Sequence, residues 1–309
     1  MMNISAAIPT FVVTLREGVE ASLVVGIVLA YLNKANRQHL NRWVYLGIAG
    51  GILSSVLVGV VLNGFLVQLD ASEYAYARVV KQLVEGGFSL VAIALLSWML
   101  IWMTRQAKAL KADIEGTIDA VLKDSQTAGW GVFGLVMIAV LREGFETVIF
   151  ISAKFQDGWM PTAGAIAGLV GAVIIGFCLF QLGVKINLRR FFQVMGILLL
   201  LIVSGLVITA LRHFDAAALS LIQFAPAWSP ICVSSNETCF LGPQVWNMST
   251  TLPDRQFPGI LLKAFFGYTQ RLYLLQAFGY LAFLVGIGGL YVRSLIGQLP
   301  IQKSPKPAQ

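Results

Sequence analysis

Charge, histidine and cysteine are what this chain has least of. Only 12% of its 309 residues are Asp, Glu, Lys or Arg, 57% are hydrophobic, and the mean hydropathy is +0.78. An ordinary soluble domain carries about a quarter of its residues charged, so that class is excluded. Three cysteines exclude a disulfide framework; only Cys232 and Cys239 lie outside an apolar run, which leaves room for one bridge, and Cys178 is expected in the core. The two histidines, His39 and His213, fall in or beside connectors, so no imidazole is expected inside a span. The formal charge of +7 would suit nucleic acid if the basic residues clustered, but they are scattered through short connectors between apolar runs.

What is abundant is apolar sequence in runs of about twenty residues or more, enough to cross a ~30 Å hydrocarbon layer at ~1.5 Å per residue. The pattern predicts an all-α polytopic membrane protein with seven transmembrane helices, over 8–32, 44–68, 80–103, 130–153, 160–183, 192–212 and 270–292. Arg16, Glu17 and Glu20 interrupt the first run and no basic segment precedes it, so it is expected to be retained rather than cleaved as a signal peptide. Thirteen Lys and Arg fall on one side of the alternating connectors and seven on the other, which predicts the N-terminus outside and the C-terminus in the cytoplasm.

The expected organisation is a first three-helix repeat (1–103), a cytoplasmic charged helix (104–127), a second three-helix repeat (128–212), an extracytoplasmic loop (213–269), and a seventh transmembrane helix with a polar tail (270–309). The outer loop holds five prolines and Cys232 and Cys239, whose bridging an oxidising compartment would allow. Two glycosylation-type triplets, Asn236-Glu237-Thr238 and Asn247-Met248-Ser249, fall there too, as such short strings often do by chance.

One string occurs twice: Arg16-Glu17-Gly18-Val19-Glu20 in the first span and Arg142-Glu143-Gly144-Phe145-Glu146 in the fourth. An ionised side chain at the bilayer centre costs at least ~2.5 kcal/mol, and each of these helices carries three. Mutual neutralisation is the plainer explanation, but one Arg per helix leaves a second carboxylate without a partner. Residues three and four apart share a helix face, so Glu17 and Glu20 project together with Arg16 in support, as do Glu143 and Glu146 with Arg142. Gly18 and Gly144 allow close helix contact. Three spans separate the copies, so the first six spans read as a 3+3 inverted repeat, in which four carboxylates line a midplane site in two rungs ~4.5 Å apart. Gly47-Ile48-Ala49-Gly50 in span two and Ala165-Ile166-Ala167-Gly168 in span five are a weaker match of the same kind. Glu85, near the outer end of span three, reads as a further metal ligand on the side where an ion would arrive.

All these donors are oxygens, which suit hard cations over copper(I) or zinc. Four Glu and two Arg sum to minus two: a divalent ion balances the site, a trivalent one leaves a positive charge that Glu85 could offset, and charge alone does not choose between them.

The paired strings, the Glu85-Gly86-Gly87 opening of span three and the charged connector resemble the high-affinity iron permeases, the oxidase-dependent iron and lead transporter family, over residues 5–295. The resemblance implies uptake of iron, in ferric form, across a plasma membrane or bacterial inner membrane, with Glu17, Glu20, Glu143 and Glu146 as essential metal ligands. It makes Arg16 and Arg142 their charge partners and Glu85 the third-span acid. It also implies a ferroxidase or a periplasmic iron-delivery protein as partner, with iron as cargo and no resident cofactor. Val19 and Phe145 stand where that family often has leucine, and the outer loop is longer than its simplest layout requires. The competing readings are a membrane oxidoreductase with a carboxylate-bound metal centre, and a permease for another hard divalent cation or lead. The first is disfavoured because di-iron helix bundles pair their acids with Glu-x-x-His strings that are missing from these spans. The expectation is therefore a transporter and not an enzyme.

Overall fold

The computed structural model describes residues 4–71, 76–106, 116–118, 127–152, 159–180, 182, 187–224, 232, 238–254 and 256–296. Six long helices come first: α1 (Ile4–Lys34), α2 (Asn41–Ala71), α3 (Ala77–Gln106), α4 (Ala128–Ser152), α5 (Met160–Phe180) and α6 (Leu188–Phe224). A small structure follows, with β1 (Gln244–Asn247), α7 (Gly259–Phe266) and β2 (Arg271–Tyr273), the strands pairing antiparallel with Asn247 opposite Arg271. The last span is α8 (Leu274–Phe283), a π turn over Leu284–Gly288, and α9 (Gly289–Leu295). The protein is an all-α membrane protein with one two-stranded ribbon among its described residues.

Among the described residues, five helices are long and apolar enough to cross a membrane: Gln38–Leu62, Arg78–Trp102, Met160–Phe180, Arg190–Ile222 and Leu274–Leu295. α1 and α4, with 31 and 25 residues, are also long enough, but each contains the three charges of a repeated string. The helices outrun the apolar runs at several ends. α6 continues to Phe224, so the region assigned to the outer loop from residue 213 begins as helix, and the last span starts at Leu274 because Arg271–Tyr273 belong to β2. Cys232 and Cys239 are bridged. Cys178 is only partly buried, beside the exposed Phe177, so it does not join the core as expected. The charged helix expected over 104–127 falls largely outside the described residues, as do Asn236, Glu237 and the tail beyond Ile296.

The tightest packing is crosswise. α1 lies along α5, α2 along α4, and α3 along α6, while α1 and α4 meet in the middle. Small residues at every fourth position explain the closeness, since they let backbones approach. A Cβ placed on Gly47 of α2 would stand 3.0 Å from Val136 Cβ, and one on Gly51 2.8 Å from Val140 Cβ; Gly144 of α4 meets Ser55. On the other side Gly164 of α5 meets Thr10, a Cβ on Gly168 would stand 3.0 Å from Thr14 Cβ, and one on Gly18 would stand 2.6 Å from Ala172 Cβ. Positions 47, 51 and 55 become 164, 168 and 172 on adding 117, and their contacts 136, 140 and 144 become 10, 14 and 18 on subtracting 126. The contacts set Gly47 against Gly164, one residue off the match of 47–50 with 165–168 expected from the sequence.

Outward faces are apolar. Leu53, Val56, Leu57, Val60 and Val61 of α2 and Ile166, Val170, Val173 and Ile174 of α5 are all exposed, a belt that only a nonpolar surrounding tolerates. The interior cluster joins Val12 and Val13 of α1, Leu96 of α3, Phe150 of α4, Leu206 of α6 and Tyr291 of α9. The region between α6 and α8 is not merely a cap: Gly267, at the end of α7, packs against Gly205, which lies within the apolar stretch of α6.

Candidate metal site

The repeated strings sit on the two helices that cross at the centre. In the first, Arg16 and Glu17 are each 1% exposed. Arg16 Nη1 donates to Glu17 Oε1 at 3.3 Å, and Nη2 lies 3.3 Å from Glu20 Oε1. In the second, Arg142 Nε donates to Glu146 Oε1 at 3.4 Å, and the guanidinium stands over the Trp102 ring, 4.9 Å from its centroid. The two arginines are therefore placed differently: the Arg142 side chain is 45% exposed, that of Arg16 2%.

Across the helix contact, ligand oxygens of Glu17, Glu143 and Glu146 all lie within 4.8 Å of one another. Donors on opposite sides of one hard cation are about 4–5 Å apart, so this spacing suits a single ion. Glu17 Oε2, Glu143 Oε2 and Glu146 Oε2 are buried without a hydrogen-bond partner among the described residues. A buried oxygen left without a hydrogen bond costs about 1–3 kcal/mol, and a cation between the helices would relieve three such oxygens at once. Glu20 stands beside this group, ion-paired to Arg16; its Oε1 lies within ion-pair distance but off hydrogen-bond geometry.

Glu85 occupies a different setting. It is buried on α3, with Oε2 3.4 Å from His213 Nδ1, which itself lies 2.8 Å from Gln82 Oε1. His213 was expected beside a connector; it is instead buried inside the Arg190–Ile222 stretch of α6. The buried titratable residues of this stretch are both taken up: beside His213, Asp215 accepts the backbone N–H groups of Cys239 and Phe240 at 2.9 Å. The signal that finds His213 is spacing, since Leu206, Ala210, His213, Ala217 and Ser220 recur every three or four residues and all are buried. Trp102 is a second residue that sequence reasoning missed, and no local pattern marks it.

The family model described as the iron permease FTR1 family matches residues 7–295. An uncharacterized protein of Synechocystis sp. is 45% identical over 299 residues, covering 96% of each chain. The ferrous iron permease EfeU of Escherichia coli O157:H7 is 31% identical over 265 residues, 84% of this chain and 86% of that one. EfeU of Yersinia pestis is 33% identical over 211 residues, 68% of this chain and 72% of its own. No solved structure matches.

Proposed function

The chain belongs to the iron permease FTR1 family, and on that premise we propose that it takes up iron through a carboxylate site at the middle of the membrane. The observation that carries the site is the convergence of Glu17, Glu143 and Glu146 from two helices, with buried oxygens lacking partners. Glu20 completes the ligand set from beside the group, and Glu85 takes the ion on the outer side. Arg16 and Arg142 hold the net charge of the motifs at minus two.

That charge favours a divalent ion. The ferric ion implied by resemblance needs a further counter-charge within the site, and Glu85 is not one of the three acids grouped there, so we take the ferrous form as the one that reaches the site. The name borne by the E. coli and Yersinia relatives points the same way. Seven spans, with α1 and α4 among them, and a 3+3 inverted repeat are supported by the two small-residue ladders, related throughout by the same two offsets. In this reading the N-terminus is outside and the C-terminus cytoplasmic, in a plasma or bacterial inner membrane, and the two repeats rock about the site as the ion passes and protons replace it. A ferroxidase or periplasmic iron-delivery protein would serve the outer face.

Purified protein in liposomes, offered labelled ferrous, ferric, manganous and lead ions in parallel, tests the reading. Ferrous influx lost in Glu17→Gln and Glu143→Gln is the expected result. Equal influx in both variants would remove the site, and iron oxidation with catalytic turnover but no influx would replace the permease by an oxidoreductase.

A further inference from the structure

Resting on that site, we propose that Trp102 is a positioning residue for it, holding the arginine of the second motif at the rim so that it does not neutralise the acids that receive the metal. The two motifs share a sequence pattern but differ in where the arginine goes. Arg16 is buried between Glu17 and Glu20, within 3.3 Å of an oxygen of each. Arg142 is 45% exposed, contacts Glu146 alone in its own motif, at 3.4 Å, and lies 4.9 Å from the centre of the Trp102 ring.

The consequence is electrostatic. A guanidinium offers five N–H donors in a planar fork and pairs readily with two carboxylate oxygens. Placed fully over its own motif, Arg142 would satisfy Glu143 Oε2 and Glu146 Oε2, the two buried oxygens of that motif without a hydrogen-bond partner, on the acids that group with Glu17. The face of an indole is the strongest aromatic competitor for such a cation. Trp102 comes from α3, a helix that supplies no oxygen to the three-carboxylate group, so its effect on the metal passes through Arg142. Arg16 thus engages both acids of its motif while Arg142 engages only one of its own, which leaves the acids of α4 as the more available half of the cage.

Packing alone is the plainer account of an arginine lying on a tryptophan, and a double-mutant cycle separates the two. Ferrous uptake into liposomes is measured at steady state, at equal amounts of reconstituted protein, for wild type, Trp102→Leu, Trp102→Phe, Arg142→Gln and the Trp102→Leu/Arg142→Gln pair. Removing the ring should raise KM roughly 3- to 10-fold with little change in maximal rate, the range expected for one cation–π contact. Trp102→Phe should restore most of the affinity. In the Arg142→Gln background the same Trp102→Leu change should shift KM by less than about twofold, because no cation is left to be released. An equal KM shift in both backgrounds, or no shift in either, overturns the proposal. Should Trp102→Leu not reconstitute, Trp102→Met carries the same comparison. Wild-type uptake in Glu17→Gln and Glu143→Gln would instead bring down the underlying site, and the proposal with it; loss of uptake there beside an unaltered Trp102→Leu brings down the proposal alone.

Discussion

Adding one methyl group at Gly18 should separate α1 from α5 and spoil the site without touching a ligand. A Cβ on Gly18 would come 2.6 Å from Ala172 Cβ. Carbon atoms rest at about 3.5–4.0 Å, so the helices must part by about 1 Å or more at that level. Overpacking of this kind costs about 1–3 kcal/mol, and in lipid no hydrophobic gain between helices offsets it. Glu17 is the residue next in the chain, and the 4.8 Å limit within which its oxygen meets those of Glu143 and Glu146 leaves little room for such a displacement. Gly18→Ala is therefore expected to lower the midpoint of thermal unfolding in detergent and to reduce ferrous uptake at least tenfold. The decisive arm is Gly18→Ala/Ala172→Gly, which moves the methyl group from one helix to the other and should recover most of both properties. If Gly18→Ala behaves as wild type, or if Ala172→Gly gives no relief, the close contact is not what positions Glu17.

Further outcomes are expected. Glu146→Gln should reduce labelled-iron accumulation at least tenfold while its amount in the membrane, read by immunoblot, stays near wild type. Arg16→Ala leaves Glu17 and Glu20 without their cation, and breaking a buried pair costs about 3–5 kcal/mol, so folded yield by size-exclusion chromatography should fall sharply. Asp215→Ala strips the acceptor from two backbone N–H groups and should cost about 2–4 kcal/mol of stability in a thermal-shift assay, more than Asp215→Asn, which keeps an acceptor.

The acids of the cluster were legible because mutual neutralisation leaves one carboxylate per helix unaccounted for in an apolar run, and four of five residues repeated 126 positions apart leave little to chance. The same charges keep α1 and α4 out of a count of apolar spans, so the element that matters most is the one hydropathy undervalues. The end of span six was misjudged for a related reason. Arg212, His213 and Asp215 look like a membrane boundary until the partners of His213 and Asp215, namely Glu85, Gln82 and the Cys239 backbone, are known, and those lie far off in sequence. β1 and β2 are three or four residues long, too short for alternation to register. The grouping of Glu17 with both Glu143 and Glu146, in place of two separate rungs, depends on how α1 and α4 cross, which helical spacing along one chain does not encode.

The crosswise packing bears on how the chain is made. α1 lies in a groove of α5, and α2 in one of α4, so each of the first two helices waits for a partner made much later. Translation from Lys34 to Phe180 takes about 7–30 s at roughly 5–20 residues per second. In the proposed seven-span layout, α1 would hold one arginine and two glutamates in lipid during that interval with its small-residue face uncovered. Insertion machinery has to shelter it until α5 emerges, and a chain cut after α3 should be a substrate for quality control unless the second fragment is co-expressed.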